Sequence, residues 1–174
     1  MNDLADENVI YACRQGDRAA YAELVKRHYR HVFAVCLGML ANVHDAEDIA
    51  QETMLKGLAN LRKLAKPEQF ESWILRIARN LCIDLLRRRK RIKTHAVEPG
   101  AVPTPGSNEN HDLEHALRRL PQELRLPLTL FYFEHRDARS IAQKLGISPS
   151  LVYDRLKAAR KELHELLTQE DSHE

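Results

Sequence analysis

Apolar residues recur every three or four positions along most of the chain, and polar residues fill the positions between them. This period matches the α-helix, whose turn holds about 3.6 residues, rather than the two-residue alternation of a strand. The pattern predicts helices at residues 6–15, 17–41, 44–61, 68–91, 113–120 and 121–134, then two more between residues 139 and 163. We therefore expect an all-α protein.

The last two predicted helices are joined by a short, informative turn. Gly146 stands just past the first of them, where a left-handed backbone conformation is least costly for glycine. Ser148 is a suitable N-cap for the second helix, and Pro149 falls at its first position, where a missing N–H is tolerated. The apolar face before the turn comprises Ile141, Ala142 and Leu145. This arrangement is typical of a helix-turn-helix.

The helix after the turn has an apolar and a polar side. The apolar residues are spaced four, three and four apart and should pack inward: Val152, Leu156, Ala159 and Leu163. The outward residues are Ser150, Tyr153, Asp154, Arg155, Lys157, Arg160 and Lys161. Such a face can read DNA, but paired amphipathic helices also occur in bundles that never bind nucleic acid. This motif alone leaves both interpretations open.

The net charge of +2 conceals a strongly basic segment between Trp73 and Lys93. Eight basic residues there stand against one acid, Asp84, which gives +7: Arg76, Arg79, Arg87, Arg88, Arg89, Lys90, Arg91 and Lys93. The apolar residues of this helix should pack on a core: Trp73, Ile74, Ile77, Ala78, Leu81, Leu85 and Leu86. The outward cations fit a phosphate-binding face, a solvated face or a localisation signal. Beside a helix-turn-helix, they indicate a second nucleic-acid contact.

An acidic helix precedes the basic one at residues 44–61. Its first half carries four acids, which are favourable near the positive end of the helix dipole: Asp45, Glu47, Asp48 and Glu52. One side of the helix can be buried through Ala46, Ile49, Ala50, Leu58 and Leu61. The acids fit either a simple helix start or a docking surface for a protein partner, and the residues leave these two interpretations open.

The composition divides the chain into two helical units. Its 174 residues suit one domain or two small ones, and the hydrophobic fraction of 44% is enough for packed cores. Residues 93–110 are rich in proline, glycine and polar side chains and cannot build a core. We therefore expect domains at residues 1–92 and 111–174, joined by a flexible linker at residues 93–110.

Cysteines and histidines give no sign of a metal site. The three cysteines lack a CxxC pair and should be small core residues in a reducing compartment: Cys13, Cys36 and Cys82. Two histidine pairs have helical spacing without nearby carboxylate or cysteine partners, so we expect solvated surface positions: His28 with His31, and His111 with His115.

The sequence also lacks the marks of an enzyme or a membrane protein. It has no recognisable nucleophile arrangement or phosphate-binding glycine loop, so we expect no catalytic residues, cofactor or small-molecule substrate. No apolar run approaches the roughly 20 residues that span a bilayer, and the first ten residues are acidic rather than basic and then apolar. We expect a cytoplasmic protein.

Several segments together resemble one protein family. In order, they are GDRAAYAELVKRHYRHVF, DAEDIAQETMLKGL, FESWILRIARNLCIDLLRRRKR, LRRLPQELRLPLTLFYFE and the helix-turn-helix. This series resembles bacterial RNA polymerase sigma factors of the extracytoplasmic-function (ECF, group IV) type in the sigma-70 family. The resemblance covers nearly the whole chain outside the linker and the last few residues.

The resemblance implies roles for residues of the first unit. Those that would dock on the beta-prime clamp helices of core RNA polymerase are Asp45, Glu47, Asp48, Gln51 and Glu52. The loop at residues 63–69 would capture a flipped non-template base of the minus-ten element, and the following helix would bind the same element. The implied minus-ten residues are Lys63, Lys66, Phe70, Trp73, Arg76, Arg79, Asn80, Asp84, Arg87 and Arg88.

The resemblance also implies roles for the second unit. Its recognition helix would enter the major groove of the minus-thirty-five element, and the unit would also meet the beta flap. The implied contacts are Ser148, Ser150, Tyr153, Asp154, Arg155, Lys157 and Arg160. Asp154 stands where the family commonly has a small hydroxyl residue, and Ser140 where it commonly has an acid. An acid on the reading face can accept from a cytosine amino group, so the upstream specificity cannot be transferred from relatives.

The implied function is promoter-specific transcription initiation with core RNA polymerase, including strand opening. An anti-sigma factor is a further implied partner; it would hold the protein inactive, in some cases at the inner membrane face, with acids facing Arg76, Arg87 or Arg155. The alternative from the residues alone is a stand-alone helix-turn-helix regulator that binds operators as a dimer. That alternative gives no role to a second basic helix far from the helix-turn-helix.

Overall fold

The computed structural model describes residues 3–95, 109–134 and 137–170. In chain order, the helices are α1 Asp3–Arg14, α2 Arg18–Leu40, α3 Val43–Asn60, α4 Phe70–His95, α5 Glu109–Arg119, α6 Gln122–Glu134, α7 Ala138–Leu145 and α8 Pro149–Glu170. Two 3-10 turns, Leu61–Lys63 and Pro67–Gln69, lie between α3 and α4. These three ranges contain no strand, so the all-α prediction is confirmed. None of the described helices is long and apolar enough to cross a membrane.

The predicted linker at residues 93–110 falls mostly outside the described residues. Helix α4 continues to His95, and α5 begins at Glu109. The side chain of His111, which is predicted to be a surface histidine, lies outside the described part of the chain.

Short polar side chains set the helix starts in the first unit. Asp17 accepts hydrogen bonds from the N–H groups of Ala19 and Ala20 at 2.8 and 3.2 Å, so it is the N-cap of α2. Asn42 likewise accepts from the N–H of Asp45 at 2.8 Å and opens α3. Helix α2 ends at Leu40, and its C-cap residue Ala41 has a left-handed φ of 51°. The tight α2–α3 connection packs the two helices side by side.

The core of the first unit lies where α1, α3 and α4 pack on α2. Helix α4 contributes a fully buried residue on every fourth position: Phe70, Ile74, Ala78 and Cys82. This stripe is rotated from the predicted one, so Leu86 is 38% exposed rather than buried. In α3, Leu58 is also exposed, at 43%, whereas Thr53 and Gly57 are buried. Thr53 is accommodated there because its hydroxyl donates to the carbonyl oxygen of Ile49 at 2.7 Å.

The prediction that His28 is a solvated surface residue is wrong. Its side chain is buried on α2, and its Nε2 atom donates to Asp6 Oδ2 on α1 at 2.7 Å. Arg27 Nη1 donates to the other oxygen of the same carboxylate at 3.0 Å. Burial lowers the pKa of His28, although the Asp6 carboxylate acts in the opposite direction. Cys36 and Cys82 are fully buried free thiols and Cys13 is half-buried, as expected for core residues.

The second unit contains the predicted helix-turn-helix as α7 and α8. Gly146 ends α7 with a φ of 68° and a ψ of 33°, the left-handed conformation expected there. The Ser148 hydroxyl accepts from the N–H of Leu151 at 3.2 Å and Pro149 begins α8, so both predicted features of the helix start are confirmed. The inward stripe of Val152, Leu156 and Ala159 is buried, and Leu163 is partly buried.

The two units pack through α2 and α6. The buried guanidinium of Arg125 on α6 donates to backbone carbonyl oxygens of both units. The donor-acceptor distances are 2.9 Å to Gly38 from Nε, 3.4 Å to Met39 from Nη2, and 2.9 Å to both Leu117 and Leu120 from Nη1. Gly38 is required at this crossing, since a Cβ atom would lie 2.6 Å from Thr129 Oγ1.

Candidate nucleic-acid interface

Helix α4 separates its cations from its apolar residues. The buried stripe fixes one side of the helix in the core, and the opposite side exposes Arg76, Arg79, Asn80, Asp84, Arg87 and Arg88. Toward the C-terminal end, Asp84, Arg87, Lys90 and Arg91 line a shallow concavity. Fixed cations on a rigid helix are suited to phosphate contacts, and the Asn80 amide to a base edge.

The predicted minus-ten residues in the loop before α4 and at its first position differ in exposure. Lys63 and Lys66 are exposed on the loop between α3 and α4. The structure corrects the assignment of Phe70 to DNA contact, because its side chain is only 1% exposed. Its ring packs on His28, with centroids 5.0 Å apart, and on the half-buried Trp73, with centroids 5.9 Å apart. Phe70 is therefore a core residue that supports Trp73.

The acidic residues of α3 form a surface in which Glu52 pairs with Lys56 on the same helix, at 2.9 Å, and Asp45 pairs with another helix. Glu47, Asp48, Gln51 and Glu52 are exposed, whereas both oxygens of Asp45 accept from Arg89 on α4, at 2.6 and 2.7 Å. Hydrogen bonding to this carboxylate raises the pKa of Arg89. The Asp45 side chain is therefore tied to the basic helix.

Sequence reasoning missed an apolar residue within the acidic surface. Leu55 is 68% exposed, four positions after Gln51 and three after Glu52 on α3. Residues at these spacings are neighbours on a helix surface, so Leu55 adjoins the acids. The sequence did contain a signal for this exposure. Ala46, Ile49 and Ala50 define the buried side of the helix, and Leu55 does not lie on that side.

The outer side of α8 divides the predicted minus-thirty-five residues into two groups. Ser150, Tyr153, Asp154 and Lys157 are exposed at spacings of three, four and seven and therefore share one face. The remaining members have contacts within the chain. Arg155 Nη2 lies 3.9 Å from Glu123 Oε2, the Arg160 guanidinium lies 5.2 Å from the centre of the Phe131 ring, and the Ser148 hydroxyl caps α8.

The second unit also carries an apolar groove of about 480 Å³ between α5, α6 and α8. Its walls include Leu113, Leu117, Leu128, Tyr132 and Leu163. Leu113 and Tyr132 are 42% and 54% exposed at this groove. The groove lies apart from the polar face of α8, so the unit has separate polar and apolar surfaces.

The described residues bring together no group of three or more histidine, cysteine or acidic side chains that could hold a metal ion. The organised surfaces of the described part are instead cationic, acidic or apolar faces on helices. Such faces are suited to macromolecular partners.

Comparisons with known proteins match both helical units. The family model for sigma-70 region 2 matches residues 24–92, and that for sigma-70 region 4 matches residues 110–163. The ECF RNA polymerase sigma factor SigM of Mycobacterium tuberculosis is 30% identical over 95% of this chain and 86% of its own length. SigW of Bacillus subtilis is 29% identical over 90% of this chain and 96% of its own length. SigE of Mycolicibacterium smegmatis is 33% identical over 90% of this chain, which spans 66% of SigE.

Two solved structures have the same fold. The sigma factor RpoE of Bartonella quintana, in complex with the anti-sigma factor NepR, has a TM-score of 0.62 and 22% identity, over 85% of this chain and 96% of that one. CnrH, in complex with the cytosolic domain of CnrY, has a TM-score of 0.64 and 24% identity, over 98% of this chain and 99% of that one. The chain belongs to the ECF family of RNA polymerase sigma factors. It is a transcription initiation factor that works with core RNA polymerase at promoters.

Proposed function

We propose that three helical faces have separate roles in transcription initiation. The exposed acids of α3 bind core RNA polymerase, α4 and the loop before it bind and open the minus-ten element, and α8 reads the minus-thirty-five element. The observation that carries this proposal is the construction of α4, which buries one side while exposing Arg76, Arg79, Arg87 and Arg88 on the other. A basic helix fixed in this way binds DNA phosphates without losing its place in the core.

The polymerase-docking surface consists of Glu47, Asp48, Gln51 and Glu52 with Leu55 beside them. An exposed apolar residue beside charged ones is typical of protein interfaces, where the apolar part supplies affinity and the charges supply orientation. Its partner is a basic and apolar surface, as implied for the clamp helices. In the second unit, the apolar groove lined by Leu113 and Tyr132 is the docking site for the beta flap.

Strand opening uses Trp73 and the lysines of the loop. Trp73 is half-buried against Phe70, so its ring is held in place at the start of α4. An aromatic ring held at the surface stacks with an unpaired base, and Lys63 and Lys66 are near enough in sequence to bind the adjoining phosphates. These contacts offset the free energy of unstacking, which is a few kcal/mol per step.

Upstream recognition uses the face formed by Ser150, Tyr153, Asp154 and Lys157. Asp154 accepts a hydrogen bond from the amino group of a cytosine, and Lys157 binds a phosphate. Arg155 and Arg160 orient the helix from its flank, since both side chains face α6.

The protein acts in the cytoplasm, and an anti-sigma factor holds it inactive by covering its cationic surfaces. The support is chemical, because exposed arginines on α4 and α8 require acidic partners to be masked. Substituting Glu for Arg76, Arg87 or Arg155 should weaken the complex with an anti-sigma factor isolated from the host. Unchanged affinity for all three variants would contradict this part of the proposal.

The decisive experiment mixes the purified full chain with core bacterial RNA polymerase and a library of randomised promoter fragments. Templates that yield run-off transcripts are then sequenced. We expect transcripts that start downstream of a shared two-part element. No transcription, together with binding of the chain alone to a palindromic site, would favour the dimeric regulator.

A further inference from the structure

Arg14 connects the first helix to the loop that precedes α4. It is the last residue of α1, and its Nη2 atom donates to the backbone carbonyl oxygen of Leu64. The same nitrogen lies 3.5 Å from the carbonyl oxygen of Leu61. These two carbonyl groups bracket the 3-10 turn at the entrance to residues 63–69. A charged side chain from a distant helix therefore holds the start of this loop.

Helix α1 is itself fixed on the rest of the unit. At its other end, the Asp6 carboxylate accepts hydrogen bonds from Arg27 and His28 of α2, at 3.0 and 2.7 Å. Along its length, α1 contacts both 3-10 turns of the loop. The match to sigma-70 region 2 begins at residue 24, so α1 lies outside it. Helix α1 therefore connects α2 to the loop.

Few hydrogen bonds define the shape of the loop, although Leu61 and Leu64 are buried in the core. Its described backbone hydrogen bonds within residues 61–69 are Leu64 N–H to Leu61, at 3.2 Å, and Gln69 N–H to Lys66, at 3.0 Å. A charge-assisted bond from Arg14 therefore adds a strong polar restraint to the packing of these two leucines. The guanidinium is also retained at a cost, because its Nε atom is buried with no hydrogen-bond partner in the described structure. The contacts of its terminal nitrogen with Leu61 and Leu64 offset this cost.

We propose that Arg14 is a positioning residue for promoter opening: it holds residues 63–69 in the shape that captures an unpaired base of the minus-ten element. This inference rests on the proposed function of the loop. Arg14 does not touch DNA in this role. It acts through the backbone at Leu61 and Leu64.

The test compares Arg14→Lys and Arg14→Ala with the wild type and with Arg18→Ala. Arg18 is an exposed arginine at the start of α2 and serves as the matched control. A promoter recovered from the run-off library carries 2-aminopurine in its minus-ten element, and fluorescence reports strand opening by the assembled holoenzyme. We expect both Arg14 variants to open the promoter about tenfold less, the factor set by one lost charge-assisted hydrogen bond. Polymerase affinity should stay unchanged, and Arg18→Ala should behave as the wild type.

The lysine variant separates positioning from simple stabilisation. Lysine is one atom shorter than arginine and lacks the Nε group, so the variant keeps the charge, removes the unsatisfied donor and withdraws the charged nitrogen from the two carbonyl oxygens. If Arg14 serves stability alone, any loss of promoter opening in the lysine variant should come with a lower melting temperature. If Arg14 positions the loop, amide exchange of residues 62–69 should accelerate and opening should fall, with a near-native melting temperature.

The outcomes distinguish this inference from the proposed function. Normal opening by Arg14→Lys, with wild-type protection of the loop amides, would overturn the inference and leave the sigma-factor mechanism intact. A wild-type chain that opens no promoter would overturn the proposed function and this inference with it. If Arg14→Ala fails to fold, the lysine variant decides the question.

Discussion

Asp45 and Arg89 join the acidic and basic helices through a two-pronged contact. Both terminal nitrogens of Arg89 on α4 donate to the two carboxylate oxygens of Asp45 on α3, at 2.6 and 2.7 Å. The Arg89 side chain is 48% exposed, so this pair contributes at most about 1 kcal/mol to stability. Its importance is geometric, because it links the face proposed for polymerase to the face proposed for DNA.

Because Asp45 is paired with Arg89, a substitution of Asp48 tests polymerase docking more directly than a substitution of Asp45. Asp48→Arg should reduce the affinity for core polymerase by about 100-fold or more, since opposing like charges across an interface costs several kcal/mol. Binding is measured by fluorescence anisotropy of the labelled chain, and circular dichroism checks the fold. Asp45→Asn is the matched control and should cost less, because Asp45 already pairs within the chain. Normal polymerase binding by a folded Asp48→Arg chain would refute the docking assignment.

His28 should make the stability of the protein depend on pH. Burial lowers the pKa of His28 from the ordinary value of 6.5, so the unfolded chain takes up a proton at a higher pH than the folded chain. The folded state is therefore favoured above about pH 6.5 and loses stability as the pH falls through that value, by up to about 1.4 kcal/mol per pH unit. Urea unfolding between pH 7.5 and 5.5 measures this slope.

His28→Gln should flatten that slope, whereas His44→Gln should leave it unchanged, because His44 is exposed. An equal slope in the wild type and in His28→Gln would assign the pH dependence to other groups.

Gly38 should control the packing between the two units. In Gly38→Ala, the new Cβ would lie 2.6 Å from Thr129 Oγ1 and 2.7 Å from Leu126 Cδ1, so α6 must move away from α2. We expect the radius of gyration from small-angle scattering to rise above the value of about 16 Å for a compact chain of this length. Gly57→Ala is the control, because its Cβ would meet Ile74 and Tyr21 within the first unit. That variant should lower the melting temperature without separating the units.

Asp154 and Lys157 should affect DNA recognition differently. Asp154→Asn should change the base selected at one upstream position, since an amide also offers a donor where the carboxylate only accepts. Lys157→Ala should weaken all promoters alike and reduce the salt dependence of binding by about one unit of slope. Promoter selection from the randomised library, repeated with each variant, measures both effects. Identical base preferences for Asp154→Asn and the wild type would remove Asp154 from the reading face.

The turn of the helix-turn-helix could be predicted because its causes are local. Gly146, Ser148 and Pro149 each act within a few residues of their own position, and all three have the expected conformation or contact. The phase of the apolar stripe on α4 could not be predicted in the same way. Period alone permits several rotations of a helix, and packing against α2 selected the one that buries Phe70 and exposes Leu86.

The wrong prediction for His28 and the omission of Arg14 have a common cause, which is that the partners of both side chains are distant in the sequence. The partner of His28 is Asp6, 22 positions away, and the acceptors of Arg14 are carbonyl groups 47 and 50 positions away. Backbone acceptors leave no trace in a sequence, because every residue supplies one. Contacts of this kind become visible only when the helices are assembled.

The contact of Arg125 also has a consequence for mutational tolerance. All four described acceptors of its guanidinium are main-chain oxygens, at Gly38, Met39, Leu117 and Leu120. Replacing the side chain of Met39 or Leu117 leaves those oxygens in place, so no compensating change on the acceptor side can restore the contact once the arginine is lost. Variation therefore affects the two partners of this contact unequally: the contact places no constraint on the side chains of Met39 and Leu117, whereas Arg125 has no substitute.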